Sequence, residues 1–262
     1  MTKLTVRDLL DGKGGRQFTF VQVTRRQEAI AAAEAGMDMI GTGWIDGRKE
    51  IAGSVPETHF AYGLQYGHHA SAVEALRAAF SALAARPHSI DCPMSPNVIE
   101  VLAREGVPVI AHVGLVPPKA TWSGGMRAVG KTADQAIRIY REIKAYESAG
   151  AFAVEIEVVP HRVASEISKR TSLLTVSLGA GAGCDIQYLF SADLLGDNPG
   201  HIPRHAKTYR DFTAERARLQ RERIDAYREY IADVTSGAFP ASRHTVEIAN
   251  DEYEAFLETL EG

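Results

Sequence analysis

Cysteine is scarce in this chain of 262 residues, with only Cys92 and Cys184. Their positions match neither a zinc-type spacing nor a disulfide framework, which fits a reducing compartment. Each is expected to act as a small buried hydrophobe rather than a nucleophile. Basic residues are not in excess either: 29 Lys and Arg face 33 Asp and Glu, a net charge of -4. That balance leaves no electrostatic footprint for nucleic acid. No apolar run is long enough to span a bilayer, and the opening MTKLTVRDLLDGKGG lacks the apolar stretch of a signal peptide. The expectation is a cytoplasmic protein without a membrane partner. Internal repeats, low-complexity tracts and obvious linkers are also missing.

What remains is 45% hydrophobic and 24% charged residues, enough to bury a large core. Apolar runs alternate with helical patterns along most of the chain. Strands are predicted at Gln17 to Val23, Met37 to Thr42, His59 to Gly63, His88 to Asp91 and Val107 to His112. Further runs follow within Ala151 to Val159, at Ser172 to Leu178 and at Ile186 to Phe190. Helices are predicted between them at Arg26 to Ala35, Ala72 to Ala85, Pro96 to Glu105 and Thr132 to Ala149. Eight strand candidates separated mostly by helices make the pattern of an α/β fold, a (β/α)8 TIM barrel in one domain. From about residue 193 to 262 the composition changes, and a long charged helix is predicted from Phe212 to Val234. This stretch is expected to be a C-terminal helical extension of a single 1–262 domain, packing on the barrel or mediating oligomers.

Barrel active sites sit at the carboxyl ends of the strands, so residues ending each apolar run are the candidates. Asp91, His112 and Glu157 converge on one mouth if the strand count holds. Glu155 and Glu157, two apart, share a face of their strand. Glu157, at the strand's end with no basic residue beside it, is the candidate acid or base, and Glu155 is expected to be structural. His112 precedes the GLVPP loop and is the candidate polariser or proton carrier. Asp91 is either a ligand or the cap of the following segment. The segment Val116 to Lys131 is long enough to act as a lid. The turn LGAGAG, with Gly181 at its centre, implies tight backbone approach to a ligand or a neighbouring loop.

The blocks VPVIAHVGLVPP (107–118), ESAGAFAVEIEVVP (147–160), SLGAGAGCDIQ (177–187) and SGAFP (236–240), in this order, resemble the ketopantoate hydroxymethyltransferase family. KLTVRDLLDGKGG and EAGMDMIGTG fit it as well, so the similarity runs over nearly the whole chain. The resemblance implies a TIM barrel of the phosphoenolpyruvate/pyruvate superfamily type, forming a homo-oligomer and acting on a small-molecule substrate. It implies magnesium holding a 2-oxo acid, a glutamate base, and methylenetetrahydrofolate as one-carbon donor. Glu157 in IEVVP takes the place of the base in the family's LECVP-type motif, and His112 matches the family histidine of its HLGLTP-type block.

The metal ligands of the family do not carry over in the same way. Where it has aspartate in VGDS, this chain has Gly43 and Trp44 in MIGTGWIDG. Gly63 stands for the aspartate of an ADMPF-type segment, Asp91 for the glutamate of KIEGG, and Ser89 for the lysine before it. Asp91, helped by Asp46, is the one candidate left to hold magnesium, and the expectation is a weak or absent metal site rather than an intact one. Thr42, Trp44, Ser89 and Gly181 are the expected substrate contacts, Trp44 favouring an aromatic or larger substrate through its flat apolar face. Three functions stay open. One is a diverged enzyme making or breaking a carbon–carbon bond beside a carbonyl. A second is hydroxymethyl transfer to 3-methyl-2-oxobutanoate with a rebuilt magnesium site. The third is a silent barrel that binds a small molecule or a partner.

Overall fold

The computed structural model describes residues 3–261. Eight parallel strands close into a barrel in sequence order, β1 to β8. They are β1 Phe18–Gln22, β2 Met39–Gly43, β3 His59–Gly63, β4 Ser89–Asp91, β5 Val109–Gly114, β6 Ala153–Glu157, β7 Leu174–Leu178 and β8 Ile186–Phe190. Each overlaps an apolar run expected from the sequence. The helices are α1 Val6–Asp11, α2 Arg26–Glu34, α3 Ala72–Leu83, α4 Pro96–Arg104, α5 Ala120–Ser123, α6 Ala133–Ser148, α7 His161–Ser168, α8 Ser191–Leu195, α9 Phe212–Ser236 and α10 Asn250–Glu261. None of the described helices is long and apolar enough to cross a membrane.

Strand alternation divides the core in two. Inward residues such as Phe20, Met39, Ala61, Ile110, Ala153, Leu174, Val176 and Tyr188 fill the barrel. Outward residues such as Val21, Ile40, Phe60, Ile90, Ala111, Val154 and Ile156 form a second core between the strands and the helices. The amphipathic stripe of α6 joins the outer core through buried Ile139, Ile143 and Tyr146, and its start is capped by Thr132, whose hydroxyl accepts from the Gln135 N–H.

The amino-terminal GKGG turn is tied to the barrel by buried Asp185. That carboxylate accepts from Lys13 Nζ at 2.8 Å, from Thr175 N at 2.8 Å and from Gly14 N at 3.2 Å. Burial, the largest single effect, pushes its carboxyl upward, but Lys13 and the Thr175 donors together outweigh it and hold the group below the usual carboxylate range. Cys92 and Cys184 are both free and buried. Burial pushes their thiols up to about 12 and about 11 respectively, so both behave as small hydrophobes, as expected.

Contacts divide the chain into a unit of residues 1–210, which holds the barrel, and a unit of residues 211–262, which holds α9 and α10. The irregular segment with His201 and His205 belongs to the first of these.

Candidate active site

Strand register decides which side chains meet at the carboxyl end. Across β5 and β6, His112 pairs with Glu155 and Gly114 with Glu157. All three ionisable side chains face inward, so His112 lies between two glutamates rather than opposite one. Its Nε2 is 3.1 Å from Glu157 Oε2 and 3.8 Å from Glu155 Oε1. On the other wall, Gly43 pairs with Gly63 and Gly63 with Asp91. Two glycines in a row leave β2 and β3 without side chains of their own at this level, where Gln65 Nε2 comes within 2.6 Å of the place a Cβ at Gly43 would take. The result is a cavity of about 680 Å³, floored by Asp91, His112, Glu155 and Glu157.

The floor is buried but not fully satisfied. His112, Glu155 and Glu157 are 7%, 4% and 6% exposed. The approach of Glu157 to His112 is out of line for a hydrogen bond. His112 Nε2 and Asp91 Oδ1 are the two buried side-chain polar atoms among the described residues without a hydrogen-bond partner. Burial pushes the carboxyls of Asp91 and Glu155 upward, and Glu157 adds to this for both, while His112 opposes it. Burial alone would depress the His112 imidazole, but Glu155 foremost, with Glu157 and Asp91, raises it to about 9.

Tyr188 of β8 completes the floor. It is buried, its hydroxyl donates to Gln22 Oε1, and its ring stacks on Phe20 with centroids 4.3 Å apart. Burial, then the nearby Glu155, Asp91 and Glu157, pushes its phenol well above the ordinary value. Higher up, the 116–131 segment contributes Val116, Pro117, Arg127 and Lys131 to the cavity wall, and the 201–205 segment contributes His201, Arg204 and His205.

The backbone is strained where it leaves the floor. Val158, directly after Glu157, has φ +50°, an unfavourable conformation for a β-branched residue. Its N–H donates to the Leu178 carbonyl at 2.8 Å and its carbonyl accepts from Val129 N at 3.2 Å, which holds the turn in place. Gly114 has φ +91°, and a Cβ there would lie 2.3 Å from the Glu157 carbonyl oxygen, so only glycine fits.

The sequence candidates do not all reach this cavity. Asp91, His112 and Glu157 line it together, and Glu155, expected to be structural, lies among them. Trp44 does not line it. In β2, Gly41 and Gly43 point inward, so Thr42 and Trp44 point outward. Thr42 Oγ1 donates to the Val23 carbonyl at 2.8 Å, and Trp44 packs edge-on against Tyr62 at 4.8 Å in the outer core. The substrate contact expected of these two is therefore corrected by the pleat itself.

Ser89 faces inward but one layer below Asp91, where its Oγ lies 3.0 Å from His59 Nε2, away from the cavity lining. Asp46 is 96% exposed and pairs with Lys49 at 2.7 Å, which removes it as a helper of Asp91. Gly181 borders an adjoining cavity of about 510 Å³ instead. A Cβ at Gly181 would meet His161 Cβ at 2.5 Å and one at Gly179 would meet His205 at 2.8 Å, so the glycine-rich turn serves close approach to neighbouring loops.

The test of a magnesium site at the family's positions is negative in this geometry. Gly43 and Gly63 offer no ligand, and Asp91 stands alone on that wall. The group whose ligand atoms do come together, within 4.8 Å of one another, is His112, Glu155 and Glu157.

A family profile described as ketopantoate hydroxymethyltransferase matches residues 48–242. A 3-methyl-2-oxobutanoate hydroxymethyltransferase of Hyperthermus butylicus is 33% identical, with 96% of this chain and 93% of that protein covered. The enzyme of that name from Enterococcus faecalis is 40% identical over 60% of this chain, a match that spans about half of the relative's length (54%). Among solved structures, a phosphonopyruvate hydrolase complexed with oxalate and Mg++ superposes with a TM-score of 0.53 over 98% of this chain and 99% of that one, at 16% identity, a likeness of fold. The chain belongs to the ketopantoate hydroxymethyltransferase family.

Proposed function

We propose that this protein makes or breaks a carbon–carbon bond beside a carbonyl, as an aldol-type transferase or lyase acting on a small carbonyl compound of the 2-oxo-acid class. One observation carries the reading: a buried carboxylate and an imidazole, Glu157 and His112, stand 3.1 Å apart on the floor of a cavity at the carboxyl end of the barrel. Glu157 takes a proton from the carbon next to the carbonyl, and the electron pair moves into an enolate. His112 faces the developing oxygen charge as polariser or proton carrier. The enolate carbon then attacks an electrophilic carbon, or the reverse sequence cleaves the bond. No step is routed through magnesium, because the wall that would hold it is built of Gly43 and Gly63.

A second reading is hydroxymethyl transfer to 3-methyl-2-oxobutanoate with methylenetetrahydrofolate as donor, in an assembled homo-oligomer. Family membership favours it. The two readings are separated by incubating the protein with a panel of 2-oxo acids in deuterated water and following the α-proton signals by NMR. Exchange in a carbonyl compound other than 3-methyl-2-oxobutanoate, without dependence on added magnesium, is expected. Magnesium-dependent exchange confined to 3-methyl-2-oxobutanoate supports the second reading. No exchange with any member contradicts both and favours a silent binding barrel.

A further inference from the structure

We propose that the reaction cavity opens into a second chamber that takes an oxyanion, a carboxylate or phosphate group carried on the tail of the ligand, with Lys131 and Arg204 as its binding residues. The chamber is the adjoining cavity of about 510 Å³. Lys131, Arg204 and His205 line both spaces, as do Val158 and Tyr188, so one ligand can occupy the two together. Calling the bound group a tail rests on the proposed reaction at Glu157 and His112, whereas the anion site itself is read directly by binding.

Charge separates the two spaces. The floor of the first is built from Asp91, Glu155 and Glu157 around His112. The second is lined by Lys131, Arg204, His161 and His205, and no described Asp or Glu lines it. Asp193, whose charge reaches His205 from behind, is buried and accepts from Asn198 Nδ2 at 2.7 Å. Two permanent cations that share a space with no carboxylate repel each other, and an anion seated between them removes that repulsion. The guanidinium fork of Arg204 matches the paired oxygens of a carboxylate or phosphate, and Lys131 adds a point charge. Either imidazole can add an N–H donor, charged or neutral.

The backbone is shaped to bring these groups together. His205 packs over Gly179 and His161 over Gly181, at φ +73° and +89°, where a Cβ would displace either ring. Gln187 Nε2 fixes the turn by donating to the Gly181 carbonyl at 2.9 Å. Loops after the last strands of a barrel are also where this architecture commonly seats phosphate. Here Gly179 and Gly181 follow β7, and Arg204 and His205 come after β8. Room points the same way. The first cavity alone, at about 680 Å³, is of a size that holds ligands larger than a small branched 2-oxo acid. A carbonyl compound with a second anionic group, remote from the reacting carbon, uses both spaces.

The test measures binding by the full chain, by isothermal titration calorimetry, in two arms. One arm titrates inorganic phosphate; the other compares 2-oxoglutarate, which has a second carboxylate, with pyruvate, which has none. Saturable phosphate binding assigns the chamber to a phosphate ester, and 2-oxoglutarate binding at least about 10-fold more tightly than pyruvate assigns it to a carboxylate. Lys131→Met and Arg204→Met alter exposed positions, and each is checked for a retained melting transition. They are expected to weaken the positive arm by about 3-fold or more each and by about 10-fold or more together. Failure of both arms, or affinities unchanged in the double variant, overturns the proposal, as does an equal loss for pyruvate and 2-oxoglutarate. Anion binding of this kind without deuterium exchange in any carbonyl compound contradicts the proposed reaction alone. Exchange without any gain from a second anionic group contradicts the chamber alone.

Discussion

Glu157→Gln lowers the rate of α-proton exchange, and of any carbon–carbon transfer the protein performs, by about 10²–10⁴-fold, the usual contribution of a positioned general base. The amide keeps the shape of the carboxylate but cannot accept the proton. The surroundings make the loss specific. The side chain is 6% exposed and beside His112, so water has little access with which to replace the base. Glu157→Asp retains the charge but withdraws it by one methylene, and an intermediate loss is expected because proton transfer depends steeply on reach. Circular dichroism and melting of both variants separate a chemical defect from a folding one. Activity of Glu157→Gln within a few-fold of the unaltered protein contradicts the assignment.

Gly114→Ala is expected to destabilise the fold by about 3 kcal/mol or more, a large effect for the addition of one methyl group. Two costs add. The residue sits at φ +91°, where an L side chain is strained, and its new Cβ would lie 2.3 Å from the Glu157 carbonyl oxygen and 2.9 Å from Val159 Cγ2. The obstructing atom is backbone, and that same carbonyl accepts the Leu115 N–H at 2.9 Å, so it cannot move aside without breaking the exit of β6. Urea denaturation monitored by fluorescence measures the change, and a loss below about 1 kcal/mol contradicts the close approach. Because the displaced carbonyl belongs to Glu157, activity is expected to fall further than the unfolded fraction explains.

The barrel was legible because its strands are written locally. Runs such as Phe18–Gln22 and Leu174–Leu178 are apolar and β-branched, and the helices between them carry their own caps, such as Thr132 before α6. His112 and Glu157 could be found from position alone, since both sit at or near strand ends. Glu155 was harder to place. Alternation puts it on the same face as Glu157, but its nearness to His112 follows from the β5–β6 register, which no local pattern states.

Trp44 shows the opposite difficulty. Matching motif to motif sets it at a ligand position, yet the pleat of β2 gives the inward place to Gly43. Counting by twos along MIGTGW would have turned it outward. Tyr188 carries the alternation of β8, so its inward face was available from the sequence, whereas its pairing with Gln22 of β1 depends on barrel closure. Arg204 and His205 lie in an irregular segment after α8, and their return to the mouth is a long-range event with no local signature.

The most direct measurement is a crystal structure of the full chain with a bound 2-oxo acid. The carbon beside the ketone is expected over the β5–β6 wall, about 3–3.5 Å from the Glu157 carboxylate, with the ketone oxygen toward His112. A ligand seated away from these two residues, or held at Gly43 and Gly63 with Glu157 and His112 untouched, would contradict a working centre built on that wall.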